Sequence, residues 1–171
     1  MYPKLSLIAL LAFLPYQPAL ADPIHAVAGG AYWHHDSGWV FPEKIDEFER
    51  VGIPQDVAGS PDAVAYYACV ESGVRMTASV DVYLAKSAAA AELEGRPEGR
   101  LTSEGTFPLS ATPVLAGTRQ IYEGGPGSPA FVGLYFIDAG AWRVRIRVTS
   151  SRLEAMDTFV HGQRWETLGG H

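Results

Sequence analysis

Two stretches of this chain alternate apolar and polar residues one by one, and that period of two commits them to β-strands with one buried face. Val74, Met76, Ala78, Val80, Val82 and Leu84 interleave with Arg75, Thr77, Ser79, Asp81 and Tyr83. Trp142, Val144, Ile146 and Val148 interleave with Arg143, Arg145, Arg147 and Thr149. Successive side chains of a strand point to opposite faces, so each stretch separates its apolar residues from its polar ones. Each is preceded by another strand-like run, Ala63 to Val70 and Phe131 to Ile137. The short connections Glu71-Ser72-Gly73 and Asp138-Ala139-Gly140 make both pairs hairpins, with glycine available for a left-handed turn position.

The rest of the chain attaches to these hairpins with weaker signals. Trp39 to Phe41 and Phe48 to Ile53 predict short strands, and Pro54 with Gly59-Ser60-Pro61-Asp62 predicts a loop. Ser87 precedes the alanine-rich segment Ala88 to Glu94, a short helix stopped by Gly95 and Pro97. Arg96 to Thr112 has no clear period and predicts a surface excursion. Pro113 to Glu123 predicts a strand, and Gly124 to Pro129 a turn region. Ser151-Arg152-Leu153-Glu154 has the spacing of a capping box, and Leu153, Met156, Phe159, Val160 and Trp165 fall near helical spacing. These predict an amphipathic helix running to about Gly169-Gly170. The expected fold is α+β, a central antiparallel sheet built from hairpins, flanked by a short helix and a C-terminal amphipathic helix.

Met1 to Ala21 reads as a cleavable signal peptide. Lys4 supplies a positive charge, Leu5 to Leu14 an apolar run, and Ala19-Leu20-Ala21 a small-x-small cleavage pattern. Pro15 and Pro18 cut the run short of the ~20 apolar residues that a membrane span needs. The expectation is therefore a periplasmic or secreted product cut after Ala21, with no membrane span. Residues 22–37 read as a flexible lead-in, and 38–171 as a single α+β domain of a size that buries its own core. Without Lys4 the balance is 12 basic against 19 acidic side chains, a formal −7. That charge argues against a general nucleic-acid binder, which must neutralise phosphates. Cys69 is the only cysteine, so no intramolecular disulfide can form. Its apolar neighbours Ala65 to Val70 predict buried packing.

The order of elements, with the Gly38-Trp39-Val40-Phe41-Pro42 segment, a long hairpin, a helix, a second hairpin ending in Trp142 to Thr149 and a closing helix, resembles the PsbP-like fold of exported accessory proteins. The resemblance covers about Ser37 to Leu168 and rests on element order. It implies a central antiparallel sheet flanked by helices, and a helper role in assembling or stabilising larger complexes. No residue-level motif is carried over with it.

Three groups of residues are candidates for a site. Arg143, Arg145 and Arg147 occupy alternate strand positions ~6.8 Å apart, forming a ladder that suits an anionic group or an acidic patch on a partner. The same ladder equally suits pairing with Asp81, Glu123 or Glu154 of neighbouring elements. His34, His35 and Asp36, with His25 nearby, offer imidazole and carboxylate ligands for copper or zinc. Adjacent histidines on a strand diverge, however, and a solvated lead-in explains them as well. Chelation by a new N-terminus is disfavoured, because Pro23 has no amide proton and His25 is fourth after the cut. Tyr66, Tyr67, Tyr83, Tyr122, Tyr135, Trp142 and Trp165 fit a pocket lining or ordinary core.

His161 and Asp157 lie one helical turn apart, a spacing open to acid/base work or to a plain surface contact. No nucleophile elbow, zinc-protease or phosphate-loop motif is present, and no cofactor is expected. The functional expectation is a non-catalytic exported domain that contacts a protein partner or envelope component. The alternative is a periplasmic binder of a small ligand, such as an anion or lipid, or of a metal.

Overall fold

A computed structural model describes residues 23–56, 62–71, 73–86, 97–109, 115–124 and 130–168. The expected leader Met1 to Ala21, the alanine-rich helix Ala88 to Glu94, the loop residues Gly59 to Pro61, most of the Gly124 to Pro129 turn and Gly169-Gly170 lie outside them. The structure is dominated by antiparallel sheet, with a C-terminal helix packed on it.

Both expected hairpins form. Strands β7 (Ala63–Glu71) and β8 (Val74–Leu84) pair from Glu71↔Val74 to Ala63↔Val82. Strands β11 (Phe131–Ala139) and β12 (Trp142–Ser150) pair from Ala139↔Trp142 to Phe131↔Ser150. The second connection is a two-residue turn, tighter than the expected three. Gly140 takes φ 68° there, a conformation that costs glycine nothing. The hairpins join through β8 and β12, which place Asp81 opposite Arg145 and Val80 opposite Ile146. Strands β4 (Lys44–Ile45) and β5 (Phe48–Arg50) extend the sheet beside β7, where β6 (Gln55–Asp56) also pairs. On the other side come β10 (Leu115–Glu123) and β9 (Arg100–Leu109), giving the order β4-β5-β7-β8-β12-β11-β10-β9.

Strand β9 corrects the expected surface excursion. Its residues are mostly exposed up to Thr106, as suits an edge strand, so no apolar period marks them. Backbone pairing to β10 holds them in place, not side-chain burial.

The lead-in is also corrected. Strands β1 (Ile24–Ala26), β2 (Tyr32–His34) and β3 (Val40–Phe41) form a separate three-stranded antiparallel sheet. Strands β1 and β2, of three residues each, are too short to show a period, which is why their sequence reads as irregular, whereas β3 lies within the expected Trp39 to Phe41 strand. Arg50 ties this sheet to the larger one. Its guanidinium donates to the carbonyls of Phe41 (2.8 Å), Pro42 (2.9 Å) and Gly30 (2.7 Å), and it lies 4.6 Å from the centre of the Tyr32 ring. Trp39, fully buried, packs against Trp165 at a ring separation of 5.1 Å.

Helix α1 (Leu153–His161) lies on the sheet face that carries Val80, Val144, Ile146 and Val148. Met156, Phe159 and Val160 are fully buried, each contributing about 1.5–3 kcal/mol by leaving water. Phe159 packs with its ring tilted against Phe48 (4.7 Å) and edge-on to Tyr67 (5.3 Å). Gly133 lies beneath the helix, where an added Cβ would meet the Met156 and Tyr135 side chains. Two helical expectations are corrected. The N-cap is Arg152 with no side-chain cap, because Ser150 supplies the hydroxyl that receives the Arg152 amide. The helix stops at Gly162, far short of Gly169, and Trp165–Thr167 follow as a single 3-10 turn.

The alternation of β8 fails at its far end. Asp81, Val82 and Tyr83 are all buried, so both faces of the sheet are withdrawn from water there. Leu134, Tyr122 and Val132 form a second, smaller apolar cluster on the face opposite α1.

Candidate functional site

The arginine ladder forms as the register of β12 requires. Pairing sets Arg143, Arg145 and Arg147 opposite Tyr83, Asp81 and Ser79 of β8. Two of the three already hold carboxylates of the sheet. Arg145 donates from Nε (3.1 Å) and Nη2 (3.0 Å) to Asp81 Oδ2, and both side chains are mostly buried, at 14% and 11% exposure. Ser79 Oγ donates to the same oxygen at 3.3 Å. Arg143 Nε donates to Asp138 Oδ1 at 2.5 Å across the β11–β12 pair. Arg147 is exposed, and its charge is felt at Asp81. Of the acidic partners weighed from sequence, Asp81 is engaged, whereas Glu123 pairs with Arg100 on β9. Burial pushes the Asp81 carboxyl above its ordinary value. The charge and hydrogen bonds of Arg145, the Ser79 hydroxyl and the charge of Arg147 oppose that rise.

The histidines separate. His34 is fully buried, its Nδ1 at 2.7 Å from Ser37 Oγ, while His35 faces solvent with Nδ1 3.0 Å from Asp36 Oδ1. The expected set of His34, His35 and Asp36 therefore does not converge, because His34 ends β2 facing the core while His35 and Asp36 in the following turn face solvent. Among the described residues no group of three or more His, Cys, Asp or Glu side chains is arranged to hold a metal ion. Cys69 is partly buried and packs against the core.

Asp157 and His161 do not pair. His161 packs on the Phe107 ring at 4.8 Å, and Asp157 turns inward to a network that the sequence did not suggest. Tyr135 Oη donates to Asp157 Oδ1 at 2.7 Å and Arg119 Nη1 to Oδ2 at 2.8 Å. Arg119 and Tyr135 are direct cross-strand partners on β10 and β11, and α1 sets Asp157 over both. Burial, then the hydrogen bond and charge of Asp157, push the Tyr135 phenol well above its ordinary 10.0, with Arg119 pulling the other way. The phenol is therefore a neutral donor throughout the physiological range. Both Asp157 oxygens accept hydrogen bonds from protein donors, which fixes the carboxylate between helix and sheet.

This network flanks a cleft of about 360 Å³ between the start of α1 and strands β9 and β10. Ile121, Phe131 and Leu153 supply apolar walls, and Thr102, Ser103, Arg119, Glu123 and Asp157 the polar rim. Leu153 remains 45% exposed although it begins the apolar stripe of α1. Beside the cleft the β9–β10 register shifts between Ile121 and Tyr122, and Thr102 Oγ1 donates to the Ile121 carbonyl at 3.1 Å. A bulge of this kind re-aims neighbouring side chains. One signal for the site was present, a charged Arg119 at an alternate position between Gly117 and Ile121. It could not be used, because β10 also offers Ala116 and Tyr122 on the opposite phase.

The chain matches no family model, no curated protein and no solved structure. No helix among the described residues is long and apolar enough to cross a membrane.

Proposed function

We propose that this chain is an exported, non-catalytic binding domain, and that the cleft between α1 and the β9–β10 edge is where it takes a small amphipathic ligand. One observation carries the reading: a cavity of about 360 Å³ joins apolar walls to a fixed Arg119–Asp157–Tyr135 network. Small-molecule sites have this build, about 300–1,000 Å³ with mostly apolar lining and a few positioned polar groups. The rim carries Arg119 against Asp157 and Glu123, which favours a neutral or cationic head group over an anion.

Contact with an envelope protein through the arginine ladder has less support, since Arg143 and Arg145 hold Asp138 and Asp81. The PsbP-like resemblance belongs to the same proposal as an accessory role, resting on element order alone. The test is a thermal-shift screen of the purified protein against lipids, amphipathic amines and simple anions. A ligand at 100 times its dissociation constant adds about 2.7 kcal/mol to stability. Ser103→Trp, at an exposed edge position in the rim of the cavity, is expected to leave the unliganded transition unchanged and abolish the shift. No shift with any probe, or a shift that survives Ser103→Trp, would overturn the reading.

A further inference from the structure

The small N-terminal sheet places His25 and His35 together in a way that their sequence separation conceals. His25 pairs with Trp33 across β1 and β2, and His35, two residues on, shares their face. The ladder continues past β2, since the His35 amide donates to the Pro23 carbonyl at 2.8 Å. His35 is thereby held at the diagonal position to His25. The two ring centres stand 6.4 Å apart, both residues are exposed, and Trp33 lies 5.1 Å from the His35 ring. His34 and Ile24, on the opposite face, are buried and form the rigid underside of the site.

We infer that His25 and His35 form a surface site for one borderline divalent cation, Cu(II) ahead of Zn(II) and Ni(II). With metal–nitrogen bonds of about 2.0–2.1 Å, two imidazoles on one ion have their centres about 5–6 Å apart, so a small side-chain rotation closes the observed gap. Asp36 acts as a positioning residue. Its carboxylate at 3.0 Å from His35 Nδ1 draws the ring proton to that nitrogen and leaves the Nε2 lone pair for the metal. Two imidazoles favour the borderline metals over magnesium or calcium, and Cu(II) binds tightest among them. Water completes the coordination.

The experiment titrates the full chain with CuCl₂ and with ZnCl₂ in a non-coordinating buffer, following heat and tryptophan fluorescence. The expected result is one equivalent of Cu(II) bound, with fluorescence quenched through Trp33. His25→Ala and His35→Ala are each expected to weaken binding at least ~10-fold, as the loss of one of two ligands requires. Asp36→Asn is expected to cost ~10-fold with stoichiometry kept, the usual effect of removing an outer-shell partner. His161→Ala, on the far helix, leaves affinity unchanged. Ring-proton NMR of the unmutated chain with substoichiometric Cu(II) tests the site without relying on any variant folding, and it should broaden His25 and His35 together. Wild-type affinity in either His25→Ala or His35→Ala, or broadening at His161 alone, would overturn the assignment.

Discussion

Two arginine–aspartate pairs in this molecule share their chemistry and differ in what they do. Arg145 and Asp81 meet between neighbouring strands, with 14% and 11% of their side chains exposed. Arg119 and Asp157 meet between sheet and helix, with 33% and 34% exposed, at the rim of a cleft. In the first pair most of the hydration of both charges is lost, so each is required by the other. In the second, water shares the load, and Tyr135 supplies Asp157 with another donor. The first pair therefore belongs to the fold and the second is available to shape a surface.

The largest effect should come from breaking the buried pair on one side. Asp81→Ala removes the buried carboxylate that Arg145 holds through two hydrogen bonds and is expected to cost about 3–5 kcal/mol in urea unfolding. The double variant Asp81→Leu, Arg145→Met should recover most of that loss, since apolar replacements remove both desolvation costs. If the double variant is as unstable as the single one, the pair does more than neutralise charge and the comparison breaks. At the rim, Arg119→Gln is expected to cost only about 1 kcal/mol, because Tyr135 still serves Asp157. A loss as large as that of Asp81→Ala would mean the two pairs are equivalent.

An alkaline titration sharpens the contrast. The folded Tyr135 phenol loses its proton well above the ordinary 10.0, so the unfolded chain ionises first as pH rises. Its contribution to stability is thus complete below about pH 10 and declines above it. Tyr135→Phe should make that decline shallower in unfolding followed from pH 9 upward, and an unchanged slope would remove Tyr135 from the account. The smallest effect belongs to Arg147→Gln. As an exposed member of the ladder it should change stability by no more than about 0.5 kcal/mol.

The hairpins were legible because their alternation is local and long, nine to eleven residues in β8 and β12. The rest of the small sheet and β9 were not, whereas β3 falls within the expected Trp39 to Phe41 strand. In β1 and β2 the strands are too short for a period, and β9 is an edge whose mostly exposed side chains show none. The ladder was legible as geometry, since alternate residues share a face whatever surrounds them. Whether it was open or engaged depended on Asp81, 64 positions away in the chain. The cleft escaped notice for a similar reason. Thr102, Arg119, Phe131 and Leu153 come from four elements, and no spacing along the chain links them.

By itself, then, the sequence determined the period of β8 and β12, the apolar stripe of α1 and the formal charge, all of which depend on neighbours in the chain. The tertiary structure decided which strands lie side by side, which arginines are engaged, and that His25 joins His35 while His34 turns inward. Those outcomes follow from register and burial, and both are settled by backbone pairing between segments that only folding brings into contact.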